Sequence, residues 1–137
     1  MEGKESKNPI EEARRYVSNA KEVIEKASYD PEMRRYTDSK YVKMAGNTLW
    51  NGCLIALDAL FGINKRKGRP DIDKYKNAAG ERDKKLQAYI VDGYNTMHLS
   101  MGYDGIKQKK ICDTGFEVAN NIIDRCAILY QPEEIYA

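Results

Sequence analysis

Four long stretches of the chain carry apolar residues at steps of three and four, separated by polar connections. Steps of that size place apolar side chains on one face of an α-helix. The first stretch holds Ile10, Ala13, Tyr16, Val17, Ala20, Val23, Ile24 and Ala27, with Glu11, Arg14, Arg15, Lys21, Glu22 and Glu25 mainly off the stripe. Asn8 can accept from the free N–H groups of the first turn, and Pro9 suits the first helical position because it has no N–H to satisfy. Asp30-Pro31 disfavours helical geometry at Asp30, so this helix stops by Tyr29. The second stretch, Asp38 to Gly62, is apolar at every position from Cys53 to Phe61 except Asp58. A helix that is apolar nearly all round is buried by its neighbours, so this one is the expected post of the fold. Asp38 or Thr37 caps its start, and Gly62 can take the left-handed conformation that closes it.

The third stretch runs from Glu81 to Met101, with Leu86, Tyr89, Ile90, Gly93, Tyr94, Met97 and Met101 on its inner face. Gly102-Tyr103-Asp104-Gly105 is the next break. The fourth runs from Ile106 to Tyr130, striped by Ile111, Cys112, Gly115, Phe116, Ala119, Ile122, Ile123, Cys126 and Leu129, and Pro132 stops it. Asp71 opens a short helical piece through Tyr75, and Gly80 is expected to interrupt it, because glycine weakens a helix interior. Pro31 to Thr37 reads as a polar connection with room for a turn of helix. No stretch alternates with the period of a strand. The pattern therefore predicts an all-α, antiparallel up-and-down four-helix bundle with a short extra helix between the second and third long helices. Residues 1–7 read as a flexible arm, 8–130 as a single domain and 131–137 as a tail. Leu54, Leu57, Phe61, Ile90, Met97, Phe116, Ala119 and Ile123 are the expected core.

Composition narrows the partners. The 137 residues suffice for one domain with a core of its own. Against 23 basic side chains stand 21 acidic ones, a net charge of +2, so any surface for a polyanion must be local. Cys53, Cys112 and Cys126 are odd in number, far apart and set in apolar patterns, which fits buried free thiols in a reducing compartment. No metal-ligand spacing is present and no cofactor is expected. The charged start MEGKESKNP carries no apolar signal core, and no apolar run is long enough to span a bilayer. A cytoplasmic location is expected.

Three groups of residues could carry function. His98, the only histidine, lies four positions after Tyr94 on one helical face. It fits a favourable cationic position near a helix end, a hydrogen-bonded core histidine, or an acid–base group in a polar cluster with Tyr103 and Asp104. On the central helix Lys40, Asn47, Asn51 and Asp58 fall within about 40° of one another, as a solvent-facing strip or a polar seam. In a seam Asp58 would need a partner, since an unpaired buried carboxylate is costly. Lys65, Arg66, Lys67 and Arg69 form an exposed basic run that fits either a solvated charge cluster or a site for phosphate or a nucleic-acid backbone. The run has no Walker pattern.

The stretches NPIEEARRYVSNAKEVI, DSKYVKMAGNTLWNGCLIALDALFG and MHLSMGYDG resemble an uncharacterised bacterial family of HEPN-like proteins, a domain of unknown function. The order of segments resembles the wider HEPN superfamily, helical bundles named for a higher-eukaryote and prokaryote nucleotide-binding domain. That resemblance implies a helical bundle that pairs as a homodimer. It implies no catalytic residue, because ribonuclease members carry an Arg shortly before a His. Here the nearest arginine before His98 is Arg82, too far upstream to match. The expectation is a non-enzymatic HEPN-like module that self-associates, with Trp50 as interface anchor, and binds a partner, a nucleotide or RNA being the candidate. The alternative is an unconventional nucleic-acid- or nucleotide-processing enzyme using His98, Tyr103 and Asp104.

Overall fold

The computed structural model describes residues 8–64 and 70–130. Helix α1 spans Pro9–Ile24, a hairpin of β1 (Tyr29–Asp30) and β2 (Arg35–Tyr36) follows, and α2 spans Ser39–Phe61. Then come α3 (Ile72–Arg82), α4 (Lys84–Gly93), a π-helical segment continuing α4 (Tyr94–Tyr103), and α5 (Lys109–Leu129). With α4 and its π-helical continuation as one rod, this is the expected four-helix bundle with an extra helix.

Neighbouring rods run antiparallel. Asn47 of α2 reaches Gly102, while Trp50, further along α2, meets Tyr94 and His98. Met101 lies over Gly115 and Gly93 lies against Ile122, so α5 runs back along the same rod. Arg14 pairs with Asp124 (2.8 Å), which brings the start of α1 to the far end of α5. Helix α2 packs against α1, α5 and the π-helical segment, and its buried face includes Val42, Ala45, Leu49, Trp50, Cys53, Leu54, Ala56, Leu57 and Leu60. It is the post that its apolar pattern predicts.

The helix ends follow local chemistry. The Asn8 carboxamide accepts from Ile10 N (2.9 Å) and Glu11 N (3.4 Å), with Pro9 at the first position. Asp38 accepts from Lys40 N (3.0 Å). Gly62 closes α2 at φ 67°, in the left-handed region open to glycine, and its N–H donates to the Asp58 carbonyl. Arg82 donates to the carbonyls of Leu60 (3.3 Å) and Leu129 (2.9 Å), placing one cation on the C-terminal ends of α2 and α5.

Three expectations are corrected. The connection before α2 holds no helical turn. Asp30 instead accepts from Glu32 N and Met33 N, and the resulting turn folds Tyr36 against Tyr29. That hairpin docks on the start of α5, with Tyr36 N donating to Lys107 O and Lys109 N to Arg34 O. Helix α3 does not break at Gly80 but runs through it to Arg82. A Cβ at position 80 would displace the end of the Gln87 side chain, whose Nε2 donates to Lys76 O (2.9 Å) and ties α4 to α3. The break falls at Asp83, whose extended backbone (φ −162°) ends α3 and whose carboxylate caps α4 through Leu86 N (2.9 Å). Of the expected core, Leu54, Leu57, Ile90, Met97, Ala119 and Ile123 are buried, whereas Phe61 and Phe116 are half-buried.

Candidate functional site: an aromatic pocket

The π-helical segment brings the molecule's distinctive chemistry together. Its hydrogen bonds span five residues, as from Asp104 N to Leu99 O (2.8 Å), so its coil is wider than an α-helix. Long stretches of this geometry are rare, and π-turns are frequent at functional sites. Tyr94 and His98 stand on one column of this coil, with ring centroids 5.1 Å apart and planes tilted by 34°. Helix α2 adds Trp50, at 6.2 Å from the His98 ring and 6.0 Å, edge-on, from Tyr94. Met97 and Met101 take the inward column and are fully buried. The close approach is made at Gly46 of α2, where an added Cβ would stand 2.5 Å from Met101 Cβ and 2.7 Å from Gly102 N.

These rings form one side of a pocket of about 270 Å³ that opens to solvent. Leu54 contributes from α2, and Pro70, Asp71, Ile72 and Tyr75 come from the entry and first turns of α3. Tyr75 is 1% exposed and donates its hydroxyl to Asp58 Oδ1 at 2.6 Å. Asp58 is the buried charged residue of the described core, so its need for a partner is met by Tyr75. Asp71 caps α3, its Oδ1 accepting from Lys74 N at 3.3 Å.

The other candidate residues separate. Asn47 lies by Gly102 (Nδ2 to O, 3.5 Å), outside the pocket lining. Lys40, Asn47 and Asn51 are exposed while Asp58 is buried, so their shared helical face is solvated at one end and built into the protein at the other. Tyr103 is 76% exposed, Asp104 is also exposed, and neither lines the pocket that contains His98. Lys65, Arg66, Lys67 and Arg69 lie outside the described residues, as do the arm 1–7 and the tail 131–137. Trp50 is 6% exposed and packed within the chain, so it has little surface to offer as an interface anchor. Sequence reasoning passed over Tyr75 as one of ten tyrosines and Asp71 as only a cap. The isolated Asp58 within an apolar run was the available signal that a polar partner had to lie nearby.

A family model, Domain of unknown function (DUF5618), matches residues 8–127. The chain belongs to that family. The solved structure of a protein of unknown function from Dyadobacter fermentans is 39% identical, with a TM-score of 0.77 over 86% of this chain and 92% of that one. No curated protein matches. The span matched to DUF5618 contains every residue of the aromatic pocket.

Elsewhere the DUF5618 domain carries groups with structural environments. Cys53, Cys112 and Cys126 are free and buried. Burial pushes the Cys53 thiol well up, that of Cys112 to about 11 and that of Cys126 to about 12. Thiols held neutral in this way are poor nucleophiles. Asp83 receives both Arg125 Nε (3.0 Å) and Nη2 (2.6 Å). Those bonds, and the one from Leu86 N, hold its carboxyl below the usual range. Among the described residues no group of three or more His, Cys, Asp or Glu could hold a metal ion, and no helix is long and apolar enough to cross a membrane.

Proposed function

We propose that this protein is a non-enzymatic cytoplasmic module that self-associates and holds the base of a nucleotide, or an unpaired RNA base, in its aromatic pocket. The pocket carries this reading. Flat rings from α2 and the π-helical segment, with Pro70 and Ile72 from the chain entering α3, suit a planar ring better than a flexible chain. Aromatic stacking on a base contributes about 1–3 kcal/mol and tolerates any base. The ring partners of His98 are Trp50 and Tyr94, and among the described residues the lining offers no thiol or aliphatic hydroxyl beside it, which favours binding over catalysis. The resemblance to HEPN-type bundles, with their nucleotide-binding name and paired state, supports the same reading. Self-association is further supported by Ile128, an aliphatic side chain of α5 that is 63% exposed.

Trp50 is the sole tryptophan and sits in the pocket, so its fluorescence reports occupancy directly. Titration with nucleoside monophosphates and short single-stranded RNA is expected to quench it saturably, and Tyr94→Ala is expected to weaken the binding. An unchanged emission across all these ligands would end the proposal. Light scattering at high concentration is expected to give a dimer mass, and a monomer would remove the self-association. RNA cleavage that disappears in His98→Ala would replace the binding reading with the catalytic one. The basic run adjoins the pocket in sequence, since Arg69 directly precedes Pro70. Neutralising Lys65, Arg66, Lys67 and Arg69 is expected to remove the salt-dependent part of RNA affinity.

A further inference from the structure

We infer that the pocket selects guanine, with the Asp71 carboxylate accepting from the two adjacent donors on the base's Watson–Crick edge. This inference rests on the reading of the pocket as a base site. Stacking alone does not distinguish bases, so any preference must come from the polar groups around the rings. Of the described lining groups, Asp71 is the pure acceptor, beside the donor N–H of Trp50 and the two-way groups of Tyr94 and His98. Among the described residues the lining holds one carboxylate, Asp71, and no lysine or arginine. The Tyr75 hydroxyl donates to Asp58, so it is not the donor a carbonyl-rich base edge would require.

Asp71 has the capacity to read a ligand. An ionised carboxylate has two oxygens and about four lone-pair sites. The cap uses one site on Oδ1, through a contact of 3.3 Å, and among the described residues no hydrogen bond engages Oδ2. The side chain is exposed at the pocket's edge, so its charge is solvated until a ligand arrives. Guanine presents a ring N–H next to an exocyclic amino group, two parallel donors that match two carboxylate oxygens. Adenine and cytosine each place a bare ring nitrogen beside their amino group. Uracil flanks its single N–H with two carbonyl oxygens, which a carboxylate repels. At about 270 Å³ the pocket has room for a bicyclic base and little beyond it, below the range of about 300–1,000 Å³ usual for drug-sized ligands.

The test follows Trp50 fluorescence while the intact protein is titrated with guanosine, inosine, adenosine, uridine and choline. Guanosine is expected to bind at least about tenfold more tightly than adenosine or uridine, since each hydrogen bond to a charged group is strong. Inosine, which keeps the ring N–H and lacks the amino group, is expected to fall between them. Asp71→Asn retains a good helix cap, so the protein is expected to stay folded while the guanosine preference collapses. The guanosine-to-inosine ratio needs no variant and tests the same contact if Asp71→Asn misfolds. Equal binding of all four nucleosides, or a preference unchanged in Asp71→Asn, would overturn the guanine inference and leave the base site standing. No nucleoside binding would overturn the base site and the inference with it. Binding of choline in preference to every nucleoside would show an aromatic cage for an organic cation, and overturn both.

Discussion

The two halves of the rod formed by α4 and its π-helical continuation are alike in length and different in employment. In Lys84–Gly93, Leu86 and Ile90 are fully buried one turn apart, and Asp83 anchors the start to Arg125 of α5. In Tyr94–Tyr103 the buried positions are Met97 and Met101, unbranched and adaptable, while Tyr94 and His98 are half-buried and face the pocket. One half is committed to the core and clamped at its end. The other gives up α-helical regularity where α2 comes closest, and gains a column of rings on its free side. The comparison teaches that the site is a packing outcome. It lies where a wide coil meets the glycine of a close-packed helix.

The largest expected effect belongs to the clamped half. Leu86→Ala is expected to destabilise by about 2–5 kcal/mol, the range for emptying a fully buried aliphatic site. Trp50 emission in the native protein is expected to be unchanged, because Leu86 does not line the pocket. Urea unfolding measures the first and native fluorescence the second. A loss under about 1 kcal/mol would show that this half is not the clamp.

Next in size is Gly46→Ala. The new Cβ would meet Met101 Cβ at 2.5 Å, Gly102 N at 2.7 Å and Met97 O at 2.8 Å, and two of these are backbone atoms that yield poorly. Overpacking of this kind costs about 1–3 kcal/mol. The better helix propensity of alanine offsets about 1 kcal/mol of it. A net loss of up to about 2 kcal/mol is expected, and, unlike Leu86→Ala, with shifted Trp50 emission. Wild-type stability together with unshifted emission would mean that the close approach does not hold the rings in place.

These contrasts mark where the chain was legible. The caps at Asn8 and Asp38 and the stop at Gly62 are local chemistry, and each acts where its residue type predicts. The post was legible because α2 is apolar around its circumference. The π-helical segment was not. Tyr94 and His98, like Met97 and Met101, are four apart, a spacing that stacks side chains in an α-helix as well. The hairpin was hidden because strands of two residues are too short to alternate. Gly80 misled because helix propensity reads it as a weak point, whereas the helix runs through it beside the end of the Gln87 side chain. The candidate site was half legible. His98, Tyr94 and Asp58 stood out in sequence, but only tertiary packing brings Trp50, Asp71 and Tyr75 to them.

A smaller effect separates the halves by pH. Arg125 and the Leu86 N–H hold the Asp83 carboxyl below its ordinary value of 3.8 in the folded chain. A carboxyl with a depressed folded value contributes stability that is fully present above the unfolded value. That contribution is lost as pH falls through the folded one. The contribution is therefore complete above about pH 4 and disappears below it. Asp83→Asn keeps a capping oxygen for Leu86 N and removes the ion pair. Its stability deficit against wild type is expected to be largest near neutrality and to close as pH falls below about 4. Thermal unfolding across that range checks this. A deficit that stays constant with pH would mean that the pair adds no charge-dependent stability.

The smallest effect is expected at the last residue of the π-helical half. Tyr103 follows directly on Gly102, which packs against α2, yet its own side chain is 76% exposed. Substitutions at exposed positions free of special features shift stability by about 0.5 kcal/mol or less. Tyr103→Ala is therefore expected to unfold with wild-type urea dependence and to bind every ligand of the pocket unchanged. His98→Ala, in the same half, is expected to perturb Trp50 emission because its ring lies 6.2 Å from the indole. The pair sharpens the comparison within a single helix, since both residues belonged to one expected polar cluster and only one lines the pocket. A Tyr103→Ala protein that lost ligand binding would place Tyr103 in the site after all. It would require the end of the π-helical segment to close over the ligand.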